Sequence, residues 1–242
     1  MLYVGPLCVE RRRVRRDGAV EWARQRYGGD EMGRGRGGWG ARGAGLGTRP
    51  SVLVEEGRTV LRVGGVIQSV AVDTAYIPDV WDAMLPQQAP ASALILGLGG
   101  GTIATLITRR YGPIPITGVE RDPAVALLAR REFGLDALPN VRVVVDDAFA
   151  YVGACRETFD TVCVDLYVAG RMAHGVLDPA FLRDIARLLS PAGNVTFNLW
   201  RSRYLDDQIR RLRRHLSVCA LAEVEDNMIV RCTRLEAAAI PI

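Results

Sequence analysis

The chain of 242 residues contains no lysine, only two histidines, and no apolar run approaching the roughly 20 residues that a membrane-spanning helix needs. Its most apolar run, 91–101, is short and ends in glycines, so the chain is not expected to cross a membrane. Nor does the N-terminus read as a signal peptide, because Arg11, Arg12, Arg13, Arg15 and Arg16 fall where an apolar segment would have to continue. A cytoplasmic location is the expectation. His174 and His215 lie far apart, which leaves little for a zinc site or a histidine-dependent nucleophile, and no metal is expected. The five cysteines are odd in number and no two have C-x-x-C spacing, so they are expected as buried free thiols. All 31 basic residues are arginine, a bias that we attribute to codon usage rather than chemistry.

What is present is the composition of a globular protein, 49% hydrophobic and 24% charged, with a net charge of +4. The charge is unevenly spread. Residues 1–50 hold 11 arginines against five acids and 12 of the 26 glycines, so the basic balance belongs to this segment and the remainder is slightly acidic. Apart from a short helix expected around Ala19 to Tyr27, residues 1–50 show no period and read as a disordered tail. Nucleic-acid binding is not expected of it, because aromatic residues among its arginines are confined to Trp22, Tyr27 and Trp39.

Residues 51–88 read as a small β unit plus a short helix. Val52 to Glu55, Thr59 to Val63 and Val66 to Val72 are β-like runs separated by Glu56-Gly57 and Gly64-Gly65, and Ile77 to Leu85 is the helix. Over 89–235 strands and helices alternate. Strands are expected at 93–98, 116–120, 141–145, 159–165 and 195–199, and helices at 102–110, 123–133 and 179–189, with a turn at 190–194. This order predicts an α/β fold with a doubly wound, mostly parallel sheet. The stripe Leu205, Ile209, Leu212 and Leu216 marks a further helix, and the runs 218–224 and 228–232 form a hairpin that adds a final antiparallel strand. Residues 236–242 form a C-terminal tail.

The first strand of this sheet runs through Gly97-Leu98-Gly99-Gly100-Gly101-Thr102 directly into a helix. Glycines there let the backbone approach a ligand, and the helix N-terminus offers free N–H groups. The second strand ends in Glu120, 19 residues past Gly101, where a carboxylate can accept hydrogen bonds from both hydroxyls of a ribose. The third ends in Asp146-Asp147-Ala148, where an acid either accepts from an adenine amino group or caps the next helix, and the fourth ends in Asp165. Four strand ends therefore converge where doubly wound sheets bind ligands.

These residues resemble the spermidine synthase (polyamine aminopropyltransferase) branch of the class I S-adenosylmethionine-dependent methyltransferase fold, which is Rossmann-type. Gly64-Gly65-Val66-Ile67-Gln68-Ser69 followed by Asp73 is similar to the D-G-x-x-Q-S-x-x-x-D stretch of that branch, and the likeness covers about residues 52 to 235. The resemblance implies that Gly97, Gly99 and Gly101 line S-adenosylmethionine or its decarboxylated form. It also implies that Glu120 holds the ribose, Asp147 and Ala148 hold the adenine, Gln68 approaches from the β unit, and Asp165 takes the catalytic acid position. A small-molecule acceptor and a homodimer are further implications. Two departures are plain: Thr102 stands where the resembled loop has Asp, and Val168 stands where a second acid belongs. The Tyr-His-Glu stretch that the resembled branch carries after its β unit has no clear match in 76–84. Three functions stay open: methyl transfer to an unidentified acceptor, with Tyr167 assisting or packing on the adenosine; aminopropyl transfer to a polyamine; and a non-catalytic nucleoside-binding module. The acceptor is not visible, because Arg156, Arg171, Arg201 and Arg203 serve equally as an acidic-substrate pocket or as ordinary surface.

Overall fold

A computed structural model of the protein describes residues 7–14, 20–27, 49–55, 57–72, 79–168 and 170–235. Within the segment read as a tail it places two antiparallel strands, β1 (Leu7–Val14) and β2 (Val20–Tyr27), paired from Leu7↔Tyr27 to Val14↔Val20. The helix expected at Ala19 to Tyr27 is therefore corrected to a strand. Val20, Trp22 and Tyr27 favour extended backbone, and pairing with β1 competes with a helix too short to offset its nucleation cost. The rest of the disorder expectation, the C-terminal tail at 236–242, and Asp73 all lie outside the described residues.

The small unit is a three-stranded antiparallel sheet of β3 (Pro50–Glu55), β4 (Arg58–Val63) and β5 (Val66–Val70). Gly64 and Gly65 join β4 to β5 with φ of 60° and 80°, the two positive values that a tight hairpin turn requires. Val52 and Leu61 of this sheet bury themselves against Val125 and Leu128, which seats it on the larger sheet's flank. The helix α1 (Asp79–Ala83) follows, shorter than expected.

The main sheet has seven strands in the order β13-β14-β12-β9-β6-β7-β8. Along the chain these are β6 (Ala93–Leu96), β7 (Ile116–Glu120), β8 (Val141–Val145), β9 (Phe159–Val164), β12 (Leu189–Trp200), β13 (Leu216–Val224) and β14 (Asn227–Arg234). Neighbours from β8 to β12 are parallel, and β14 runs antiparallel to both β12 and β13. Between them lie α2 (Thr102–Tyr111), α3 (Pro123–Glu132), α4 (Ala148–Ala154), α5 (Pro179–Leu188) and α6 (Leu205–Arg213). The side chains of β6 show why helices cover both faces. Leu94 and Leu96 join one core cluster with Leu182 and Ile185, while Ala93 and Ile95 join another with Ile103 and Ile107.

Three expectations are corrected. The turn at 190–194 is an irregular stretch within β12, where the register against β9 shifts between Leu189 and Asn194; Leu189 already pairs with Phe159 and is fully buried, so the strand begins there. The helix α4 was raised only as the one that Asp147 could cap, without bounds, and the two-residue strands β10 (Tyr167–Val168) and β11 (Arg171–Met172) were not expected, being too short to show a period. Of the cysteines, Cys163 and Cys232 are buried, with thiols pushed up to about 12 by burial, but Cys155 is half-buried and Cys219 is exposed on the edge strand β13. Among the described residues no helix is long and apolar enough to cross a membrane.

Candidate functional site

The chain passes from β6 to β7 and β8 on one side and returns as β9 on the other, so the order of connections reverses at β6 and opens a crevice at the strands' C-terminal ends. Backbone bonds continue the ladder past those ends: Gly97 N donates to Val119 O at 3.0 Å, and Asp165 N to Leu96 O at 2.9 Å. The functional side chains thus stand on rigid backbone. A cavity of about 470 Å³ lies in the crevice, and Gln68, Gly97, Gly99, Glu120, Asp147, Ala148 and Asp165 all line it. Gly101 does not. It is buried behind the loop with φ of 84°, where an added Cβ would lie 2.6 Å from the Leu135 side chain, so its role is packing.

Glu120 holds the glycine loop from below. Its Oε2 accepts from Gly99 N at 2.9 Å and its Oε1 from Asp122 N at 3.0 Å. Burial raises its pKa, and the backbone N–H groups of Asp122, Gly99 and Arg121 oppose that shift without cancelling it. Its described hydrogen-bond partners are thus backbone groups rather than the Arg121 side chain. A carboxylate offers about four acceptor positions, so room remains for hydroxyl donors from the cavity. Asp147 spends Oδ1 on capping α4, accepting from Phe149 N at 2.9 Å and Ala150 N at 3.2 Å. The capping alternative raised by the sequence is therefore realised, and Asp147 still faces the cavity.

The small β unit closes the loop from above through two bonds, and a third within β5 orients the Ser69 hydroxyl. Ser69 Oγ accepts from Gly100 N and donates to Gln68 O, both at 2.6 Å, and Thr102 Oγ1 donates to Val70 O at 2.9 Å. Thr102 is buried and points into the joint between loop and β5, which accounts for a hydroxyl rather than a carboxylate at this position.

At the other end of the cavity Asp165 accepts two hydrogen bonds from neutral donors, Trp81 Nε1 on Oδ2 and Asn198 Nδ2 on Oδ1, each at 2.9 Å. Burial nevertheless pushes its pKa up, since neither partner carries charge. Tyr167 OH donates to Asn198 O at 3.3 Å, and burial together with Asp165 raises its pKa. Trp81 and Asn198 escaped the sequence analysis; they lie 84 and 33 residues from Asp165 along the chain, and no local pattern reports such a pairing. Asp79, Asp122 and Glu225 also line the cavity, against the single base Arg121. Arg156, Arg171, Arg201 and Arg203 do not line it: Arg201 pairs with Glu223, and Arg203 stacks 4.8 Å from the Tyr204 ring centroid.

No family model matches the chain. The polyamine aminopropyltransferase of Vibrio vulnificus strain CMCP6 is 27% identical over 135 residues, covering 54% of this chain and 45% of that protein. The chain spans about half or less of the length of the curated relatives it matches. The crystal structure of a probable spermidine synthase from Corynebacterium glutamicum ATCC 13032 superposes with a TM-score of 0.64 at 20% identity, covering 76% of both chains. Human Methyltransferase-like protein 13 in complex with SAH superposes at 0.54 and 21% identity, covering 66% of this chain and 82% of that one. These likenesses establish the fold as class I methyltransferase-like, with a spermidine synthase-like architecture.

Proposed function

We propose that the chain is a transferase that binds an S-adenosylmethionine-type sulfonium nucleoside in the crevice and passes a methyl group to a small-molecule acceptor. The observation that carries this reading is the half-buried Glu120 carboxylate, fixed by Gly99 and Asp122 N–H at the end of β7 with acceptor capacity toward the cavity. Asp165 ends β9, two strand spacings away, or about 10 Å. Glu120 and Asp147 would hold the nucleoside, and Asp165 lines the same cavity where the acceptor would lie. The cavity volume and the donor set of carboxylates and backbone N–H groups fit such a ligand.

The bound nucleoside supplies an electrophilic carbon on a positively charged sulfur, so an acceptor lone pair forms the new bond while the carbon–sulfur pair stays on sulfur. The chain's contribution is binding and aim. Glu120 accepts from the ribose hydroxyls, and Asp147 and the start of α4 address the adenine. Asp165, held by Trp81 and Asn198, accepts the acceptor's N–H or O–H and carries its proton away; its raised pKa makes it a stronger base than an exposed carboxylate.

Aminopropyl transfer is the second reading. The acids Asp79 and Glu225 at the same cavity favour it, as does the name of the Vibrio relative. Thr102, committed to Val70 O, and the exposed Val168 favour methyl transfer, because each stands where the resembled branch has a carboxylate. Parallel calorimetric titrations with S-adenosylmethionine and its decarboxylated form test the choice. Tighter binding of the first is expected. Preference for the second returns the chain to polyamine chemistry, and binding of neither leaves a non-catalytic module.

A further inference from the structure

The seven-stranded sheet ends in two edges of opposite character. β8 is five residues long, carries Arg142 among its valines and runs into Asp146 and Asp147, the short and charged form that discourages a further strand. β13 has nine residues, with neither proline nor charge from Leu216 to Ala222. It is the outermost strand, paired with β14 on one side and with no strand on the other among the described residues. Ser217, Cys219, Leu221, Ala222 and Glu223 are exposed, Leu221 by 48%. The register shift at Cys219 bends the strand but puts nothing against its outer edge.

Charge is sorted along this edge. Before it, at the end of α6, stand Arg210, Arg211, Arg213 and Arg214; at its far end come Glu223, Glu225 and Asp226. Arg210 and Arg211 both reach Asp207, and Glu223 pairs with Arg201. Arg213, Arg214, Glu225 and Asp226 are exposed and carry no ion pair among the described residues. A strand with one positive and one negative end is complementary to itself turned round. Antiparallel pairing of two copies sets each basic end against the acidic end of the other, whereas parallel pairing sets like against like.

We infer that β13 is the surface through which two copies of this chain pair, antiparallel about a two-fold axis at the middle of the strand, near Cys219 and Ala220, so that one sheet continues into the next. With the axis at either residue, Arg213 and Arg214 come to the partner's hairpin tip, and Glu225 and Asn227 of that tip line the cavity mouth. The second copy thereby brings positive charge to a mouth that each chain alone leaves acidic. The pairing itself does not depend on the transferase reading, and its test needs no ligand.

Sedimentation velocity of the full chain over a concentration series is expected to show a monomer–dimer equilibrium, weakened at least tenfold between about 0.1 M and about 1 M sodium chloride by screening of the paired ends. Two variants sharpen the test, Arg213→Glu with Arg214→Glu in one chain and Glu225→Arg with Asp226→Arg in another. Each alone is expected to be monomeric, because its two ends now repel, and an equimolar mixture is expected to pair, which misfolded chains cannot do. A short bis-maleimide is expected to join two unmodified copies through Cys219, whose Cβ atoms lie about 5 to 8 Å apart with the axis at either residue, and Cys219→Ser is expected to remove that link. A chain that stays monomeric at every concentration overturns the inference, as does a dimer that fails either the mixing test or the Cys219 link.

Discussion

Glu120 has a folded-state pKa raised above its ordinary value of 4.5 because burial outweighs its backbone donors. The folded chain therefore holds this proton to higher pH than the unfolded chain does. Its contribution is most favourable at and below about pH 4.5 and is lost as pH rises through the raised folded value. Glu120→Gln removes that slope, so the melting-temperature difference between wild type and variant should grow more unfavourable to wild type from pH 4 upward and then level off. Scanning calorimetry across that range checks it, and a flat difference contradicts it. At neutral pH the same variant should weaken adenosyl-nucleoside binding by about 1 to 3 kcal/mol, the loss of charge-assisted hydrogen bonds. For Asp165, Asn substitution should lower turnover well beyond any change in nucleoside affinity, and equal turnover would retire it as the base. The Trp81 N–H lowers the Asp165 pKa, so Trp81→Phe should raise it further and shift the acid limb of the pH–rate profile to higher pH.

The glycine loop is an element whose chemistry depends on what packs over it. Thr102→Asp restores the acid of the resembled loop, but here it sets a buried carboxylate against the Val70 carbonyl, acceptor against acceptor. The N-terminus of α2 offers about 0.5 kcal/mol in return, less than the desolvation cost, so a net loss of about 1 to 3 kcal/mol in urea unfolding is expected. Elements of this kind divide what the sequence could tell. The β6, β7, β8 and β9 strands were legible because apolar runs end abruptly in Gly, Glu, Asp and Asp, and that rule singled out Glu120, Asp147 and Asp165, which line the cavity. Strands of two residues, β10 and β11, carry no period at all. Gly101 read as a cavity residue from its loop, yet it packs on Leu135, a partner visible only in three dimensions. The Trp81–Asp165–Asn198 cluster was hidden for the same reason: it joins α1, the end of β9 and β12.

For the whole molecule, the order β13-β14-β12-β9-β6-β7-β8 divides the cavity lining between two groups of strands: β6, β7 and β8 bring Gly97, Gly99, Glu120 and Asp147, and β9, β12 and β14 bring Asp165, Asn198, Trp200 and Asn227. Among the described residues no lining residue precedes Val63, so deleting residues 1–48 should leave nucleoside affinity within about twofold. Calorimetry on the shortened chain checks this, and a larger loss would tie the N-terminal segment to the site. The β13–β14 hairpin brings Glu225, with φ of 52°, and Asn227 to the cavity mouth, and Asn227 pairs with Trp200 in the sheet. A short tip carried on a rigid antiparallel pair is a separable part. Changes of sequence or length at 225–227 can alter which molecule is admitted while the nucleoside strands stay untouched. Diversification of substrate choice, whether by natural drift or by laboratory grafting, has its least costly starting point there.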